Sequence, residues 1–259
     1  MKYYVTADVH GYYSLLRRAL TDAGYFDDPE PHRLVILGDL LDRGSEAAET
    51  LDFVQRLMKE NRVVLVRGNH EDLFVRLVTA DEGQPLRHHI QNCTYDTALQ
   101  LTGYTLFDAK IQCRYFASEA RKTAYYREII PAMADWFETE HYVFTHGWIP
   151  CVSENGVYRY RADWRSASEE DWAAARWLNG MDAAPFCEEE KTVLCGHWHA
   201  SYGHFRYEHK GAEFGPEADF SPYYGKGIIA LDACTAVSGR VNVVVLEDQE
   251  IHSPVPRLL

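Results

Sequence analysis

The chain has 259 residues, 46% of them hydrophobic and 25% charged, with 26 basic against 39 acidic side chains and a formal net charge of −13. This is ample apolar material for one sizeable α/β domain or two modest ones, and it excludes a disordered, collagen-like or coiled-coil chain. So acidic a surface repels duplex nucleic acid and anionic membranes, and a protein of this charge that handles phosphate needs its positive charge concentrated at one place.

Cys93, Cys113, Cys151, Cys187, Cys195 and Cys234 include no C-x-x-C pair and are too sparse for a disulfide scaffold. The opening MKYYVTADV reads as a strand rather than a secretory leader, and no run of eighteen apolar residues occurs. A cytoplasmic protein without a membrane partner is expected. Residues 3 to 7 form the first predicted strand, followed by an amphipathic helix from Ser14 to Ala23 closed by Gly24. RLVILGD at 33 to 39 and RVVLVRGNH at 62 to 70 are strands flanking a helix predicted from Glu46 to Glu60 behind Ser45. Their continuous apolar character predicts a sheet covered on both faces.

Residues 71 to 140 read as a mainly helical excursion, broken at Gly83-Gln84-Pro85 and Thr102-Gly103-Tyr104. Strand character returns in HYVFTHG at 141 to 147 and KTVLCGHWH at 191 to 199. Between them Ser168, with Asp171 three positions on, opens a helix that ends near Gly180. GIIALDA and RVNVVVLED are read as terminal strands, hairpin neighbours across the AVSG turn, after a loop over 211 to 227. No repeat or composition shift marks a boundary, so residues 1 to 259 are read as a single α/β domain.

Five of these strands end in residues able to bind metal or phosphate: Asp8 and His10, Asp39, Asn69 and His70, His146, and His197 and His199. Strand ends of one α/β sheet converge, and the loops beyond them form the usual binding crevice. Taken singly, each residue has an ordinary reading as a cap, a turn residue or a hydrogen-bonded histidine. The ordered set D-x-H, G-D-x-x-D-R-G, G-N-H-E, H-G and G-H-x-H does not. A mixed His/Asp/Asn set suits Zn, Mn or Fe rather than Ca, and it is too large for one tetrahedral ion. Two metals sharing a bridging carboxylate fit it better.

The blocks DVHG, GDLLDRG, RGNHE, THG and GHWH resemble, in order, those of the calcineurin-like metallophosphoesterases, and within them the bacterial relatives of the phosphoprotein phosphatases. The resemblance implies a four-layer α/β/β/α sandwich, two mixed β-sheets flanked by helices. It implies that Asp8, His10 and Asp39 hold the first metal, and that Asp39 bridges to a second held by Asn69, His146 and His197. His199 departs from the phosphoprotein-phosphatase pattern and is expected to complete the first metal's shell, as in the wider superfamily. His70 is the implied proton donor to the leaving group, with Asp42 as its partner, and attack is by a water activated between the metals.

Arg43 can present a planar fork to two phosphate oxygens. Arg176 is preferred as a second substrate-binding arginine over Arg161 and Arg165, with Arg67 a weaker candidate. Trp148 and Trp198, beside metal blocks, are candidates for the mouth of the site, although packing explains them as well. The leading expectation is a manganese-activated phosphatase acting on phosphoserine or phosphothreonine in proteins, with Fe or Zn as other metals. The alternatives are a symmetrical dinucleoside tetraphosphate or other nucleotide hydrolase, and a catalytically silent metal-binding scaffold.

Overall fold

The computed structural model describes residues 1–80, 85–154, 157–186 and 190–252. Gly83-Gln84 of the expected helix break, Cys187 and the last seven positions of the single-domain reading lie outside the described residues. Among the described residues twelve strands form two large sheets and a hairpin. The first sheet has the order β11-β1-β2-β3, built from β1 (Lys2–Thr6), β2 (His32–Leu37), β3 (Val63–Val66) and β11 (Val244–Glu247). The second has the order β12-β4-β5-β8-β10-β9, from β4 (Phe137–Thr139), β5 (Tyr142–Phe144), β8 (Thr192–Cys195), β9 (Tyr223–Gly225), β10 (Ile228–Ala230) and β12 (Glu250–His252). β6 (Cys151–Glu154) and β7 (Val157–Tyr160) form the separate hairpin. β1, β2 and β3 run parallel, as do β5, β8 and β10, while β11, β12, β4 and β9 pair antiparallel.

Period-two alternation explains why the inner strands are apolar throughout, since successive side chains enter different cores. Tyr3, Val5, Val35, Leu37, Val64 and Val66 face Phe137, Phe144, Leu194 and Ile229 of the opposite sheet. Tyr4, Leu34, Ile36 and Leu65 face outward instead, against helices α1 (Tyr13–Asp22), α2 (Ala47–Lys59) and α3 (Asn69–Thr79). The outer face of the second sheet packs Val143, Val193 and Ile228 against Trp148, Trp164, Trp172 and Met181. Helix, sheet, sheet and helix layers result, as the resemblance implied.

The excursion holds α4 (Arg87–Gln91), α5 (Thr94–Thr102), α6 (Leu106–Ile111), α7 (Cys113–Ala120), a π-turn at Tyr125–Ile129 and α8 (Ile130–Ala132). It ends earlier than expected, because β4 falls within its last residues. α9 (Glu169–Ala175) opens on Ser168, whose hydroxyl accepts the Asp171 N–H at 3.1 Å. It stops before Gly180, which instead begins α10 (Gly180–Ala183). α11 (Ala200–Tyr207) and α12 (Thr235–Ser238) follow. The expected terminal hairpin is not formed: AVSG lies in and just after α12, and carries the chain from β10 in one sheet to β11 in the other. Among the described residues no helix is long and apolar enough to cross a membrane.

Two polar networks tie these layers. Arg176, 1% exposed at the end of α9, donates to Asp72 of α3 (2.7 Å), Asp135 (2.6 Å) and Glu169 (2.6 Å). Arg176→Ala removes the cation shared by these three carboxylates, of which Asp72 keeps Arg67, and is expected to lower the unfolding free energy by about 3 kcal/mol. Urea denaturation measures it, and a loss below about 1 kcal/mol would show that the network adds little stability. At the far end of the sheets Asp248 accepts from Thr139 Oγ1 (2.7 Å) and from the backbone and ring of His141 (2.8 and 2.9 Å). Burial opposes the Asp248 charge, but these donors prevail and hold its pKa at about 2. Its contribution is therefore present above the ordinary carboxylate pKa and lost as pH falls through about 2. Asp248→Asn should cost roughly 1–2 kcal/mol at pH 6 and clearly less at pH 3. Equal costs in denaturation at the two pH values would refute the assignment.

Candidate metal centre

Each strand of the parallel triples, β1, β2, β3 and β5, β8, β10, delivers a polar residue just past its carboxyl end. Asp8, His10, Asp39, Asn69, His70 and His146 are each at most 2% exposed, so the sheets hold a polar cluster out of water. Two donor groups meet there, His10/Asp39/His70 and Asp39/His146/His197, each with its ligand atoms within 4.8 Å of one another. Asp39 belongs to both. Its Oδ1 lies 3.3 Å from His146 Nε2, and its Oδ2 lies 3.8 Å from His10 Nε2 and 3.6 Å from His70 Nε2.

The histidines are oriented for ligation by their other ring nitrogens. His10 Nδ1 lies 3.0 Å from the Leu41 carbonyl and His146 Nδ1 lies 2.7 Å from that of Leu37. A proton on each Nδ1 leaves the Nε2 lone pair facing the cluster. The His197 ring bonds the Trp177 backbone and turns Nδ1 to within 3.0 Å of Asn69 Oδ1, which is also 2.7 Å from His146 Nε2. Burial, then the neighbouring His146, lower the His197 pKa to about 3, so the ring is neutral, as a ligand must be.

Backbone geometry shows the same concentration. Of ten non-glycine residues with positive φ among those described, six are Asp8, His10, Asp39, Asp42, Arg43 and His197. Such conformations cost roughly 1–3 kcal/mol each and persist only where surrounding structure imposes them. Two glycines are required by closeness: a Cβ on Gly68 would collide with Asp39, and one on Gly196 with the Asp8 carboxylate.

Asp8 lies outside both donor groups, its Oδ2 accepting the His197 N–H at 2.9 Å. Burial, and then the charges of Asp232 and Asp39, push its pKa well above the carboxylate range. Asp232, 6% exposed at the end of β10, was missed in the sequence although GIIALDA carries the same apolar-run-then-Asp signal as the other blocks. Three mutually repelling buried carboxylates beside neutral imidazoles are a donor set that a divalent cation fits.

His70 Nδ1 is 2.6 Å from Asp42 Oδ2, which also accepts from Thr94 Oγ1 at 2.7 Å. Burial opposes charge on His70, but Asp39 and the Asp42 hydrogen bond outweigh it, and the pKa is raised. Arg43 is exposed above the cluster, with Nη2 3.4 Å from His70 Nε2. Glu71 braces the loops from below: it accepts from the backbone of Gly68 (2.7 Å), Asp39 and Leu40 (3.0 Å each) and from Tyr125 Oη (2.7 Å).

Two expected site residues are not brought in. Arg176 is buried, with its guanidinium engaged by three carboxylates, so the expectation that it binds substrate is corrected. Its competitors are also engaged, Arg161 by Asp163 and Asp171, Arg165 by Glu138 and Arg67 by Asp72. His199 joins neither donor group. Its Nε2 faces Glu213 at 2.9 Å and its ring stacks on Trp198. Trp148 is buried in the core, whereas Trp198 and Trp177 are exposed.

Residues 1–201 match the family described as calcineurin-like phosphoesterase. The serine/threonine-protein phosphatase 1 of Salmonella typhimurium is 37% identical over 70 residues, 27% of this chain and 30% of that protein. The asymmetrical bis(5'-nucleosyl)-tetraphosphatase PrpE of Halalkalibacterium halodurans is 33% identical over 97 residues, 35% of this chain and 39% of that one. These alignments span only about a third of either relative. The cold-active protein-tyrosine phosphatase of a psychrophilic Shewanella shares the fold, with a TM-score of 0.52 at 16% identity over 95% of this chain and 75% of that one. With the family match covering most of its length and every block on a strand end of the expected sandwich, the chain belongs to the calcineurin-like phosphoesterases.

Proposed function

We propose that the protein is a metal-dependent phosphomonoester hydrolase in which Asp39 is shared by two metal ions, held on one side with His146 and His197 and on the other with His10, while His70 Nε2, although it lies in the same donor group as His10, carries a proton instead of a metal. The observation that carries this reading is the His70–Asp42 pair standing at 2.6 Å beside those groups, with Arg43 above it. Two bound cations would lower the pKa of a shared water and offset the charge on phosphoryl oxygens. His146, His197 and Asn69 surround one side of Asp39, and His10 and Asp8 the other. Manganese, iron and zinc all suit this donor set.

The rest of the chemistry belongs to the chain. Asp42 holds the His70 ring through Nδ1 and favours its protonated form, leaving Nε2–H to donate to the departing oxygen. Thr94 donates to the same Asp42 oxygen, Oδ2, that faces His70, and so holds that oxygen in place for the dyad. The Arg43 fork can bind two phosphoryl oxygens, and its exposure lets substrate reach it. Burial of the cluster keeps competing water away and strengthens each of these interactions.

The motifs GDLLDRG and RGNHE, and the name of the Salmonella relative, favour phosphoserine and phosphothreonine in proteins. The name of the Halalkalibacterium relative favours a nucleotide, and so do the exposed indoles at the mouth of the site. Specificity constants for a phosphopeptide panel and for diadenosine tetraphosphate, measured side by side on manganese-loaded protein, separate the two. Failure to release phosphate from any phosphopeptide, nucleotide or aryl phosphate would refute the hydrolase reading.

His70→Asn should retain metal content while lowering kcat for a poor leaving group by roughly 10²–10⁴-fold, with a smaller effect on an activated aryl ester. Equal losses on both would exclude the proton-donor role. Arg43→Lys should lower kcat/KM by about tenfold or more, because an ammonium cannot reproduce the bidentate fork. Wild-type kinetics in that variant would remove Arg43 from the site.

A further inference from the structure

Two exposed indoles stand at the cluster without a role in the chemistry above. Trp177 is 42% exposed, with its ring centroid 5.7 Å from that of His197 and at a near-perpendicular 83° to it. Its backbone binds the same imidazole, so its position is fixed relative to the donor group. On the side of the excursion it meets His88 of α4, ring centroids 5.4 Å apart. Trp198 is 36% exposed, 6.2 Å from the His197 ring, and lies nearly flat (24°) on His199.

His199 is in turn fixed by Glu213 and backed by the exposed ring of Phe214, with centroids 4.6 Å apart. His199, which lies outside both donor groups, thus supports an aromatic surface. Large apolar rings cost free energy when left in water, and of the other four tryptophans Trp148, Trp164 and Trp172 are buried and Trp136 half-buried. Two held open on either flank of one prospective ligand call for a flat, apolar partner.

We propose that Trp177 and Trp198 form an aromatic platform that selects phosphomonoesters carrying a planar ring close to the phosphate. The proposal rests on the hydrolase reading and deepens it: Arg43 and the donor groups take the phosphoryl end, and the indoles take the ring by stacking or edge contact. An aryl phosphate and a nucleoside 5'-monophosphate share that chemistry. A short aliphatic phosphoester fills the phosphoryl site and leaves the indoles wet.

Titration calorimetry on manganese-loaded protein with phenylphosphonate and methylphosphonate measures ring recognition without turnover. Wild type should bind the phenyl compound about tenfold tighter or better, and Trp177→Ala and Trp198→Ala should each remove most of that margin. Trp177→Phe and Trp198→Phe keep a ring and should restore it, which distinguishes a platform from a packing role for either indole. Specificity constants for phenyl phosphate, adenosine 5'-monophosphate and phosphoserine should rank both ring substrates above phosphoserine in wild type. The order of the first two tells whether the ring sits on the ester oxygen or beyond a sugar. No phenyl margin in wild type, or an undiminished margin in both alanine variants, would overturn the platform. A phenyl margin without turnover of any ester would instead overturn the hydrolase reading and leave the platform standing.

Discussion

Glu71 is a fully buried carboxylate surrounded by four donors, and the geometry of the centre depends on it. Its two oxygens take the N–H groups of Asp39, Leu40 and Gly68 and the hydroxyl of Tyr125. The loop after β2 and the first turn of α3 are thereby locked together, although β2 and β3 themselves end before either ligand residue. Asp39 and Asn69 are placed from these two loops, and Gly68 must lack a Cβ for them to approach so closely. Burial and the nearby Asp39 push the Glu71 carboxyl up in pKa, so the brace is itself an unfavourably desolvated group that only its donors make tolerable.

The same logic extends across the site. Asp8, Asp39 and Asp232 are buried acids that raise one another's cost, held in conformations with φ near +50° at Asp8 and Asp39. A folded state that keeps such a cluster is strained without a cation and relieved by one. The excess of acid over base in the chain is therefore not simply a solvated coat, because part of it is folded inward at the strand ends. Positive charge from the protein is sparse by contrast: Arg67, Arg161, Arg165 and Arg176 are engaged by carboxylates, while Arg43 stands exposed at the cluster. Exposed positive charge at the cluster is thus focused at Arg43.

What the sequence made legible follows from how local each signal is. An apolar run ending in Asp or His is contained in eight or nine residues, so β1, β2, β3, β5 and β8 and their terminal residues could be read directly. Pairing is not local. β10 and β11 are near in sequence but belong to different sheets, and the three- and four-residue strands β4, β6, β7, β9 and β12 are too short for alternation to show. The partners of Arg176 and His199 were not legible for the same reason. Arg176 finds Asp72 and Asp135 at separations of 104 and 41 residues, and His199 finds Glu213 through the fold of the loop after α11. Asp232 carried a local signal but stands outside the five recognised blocks.

The excursion touches the centre from two sides. Thr94 at the start of α5 fixes Asp42, and Tyr125 in the π-turn fixes Glu71, so two of its side chains reach the back of the centre. His88 of α4 meets Trp177 at the front. The excursion therefore bears on the centre in two separable ways: Thr94 and Tyr125 on the geometry of the His70–Asp42 pair and the loops, and His88 on the exposed indole beside His197. Thr94 and Tyr125 are each bonded directly to a carboxylate, Asp42 and Glu71, that orders the polar cluster, so they are tied to its geometry more closely than His88, which meets Trp177 at its rim.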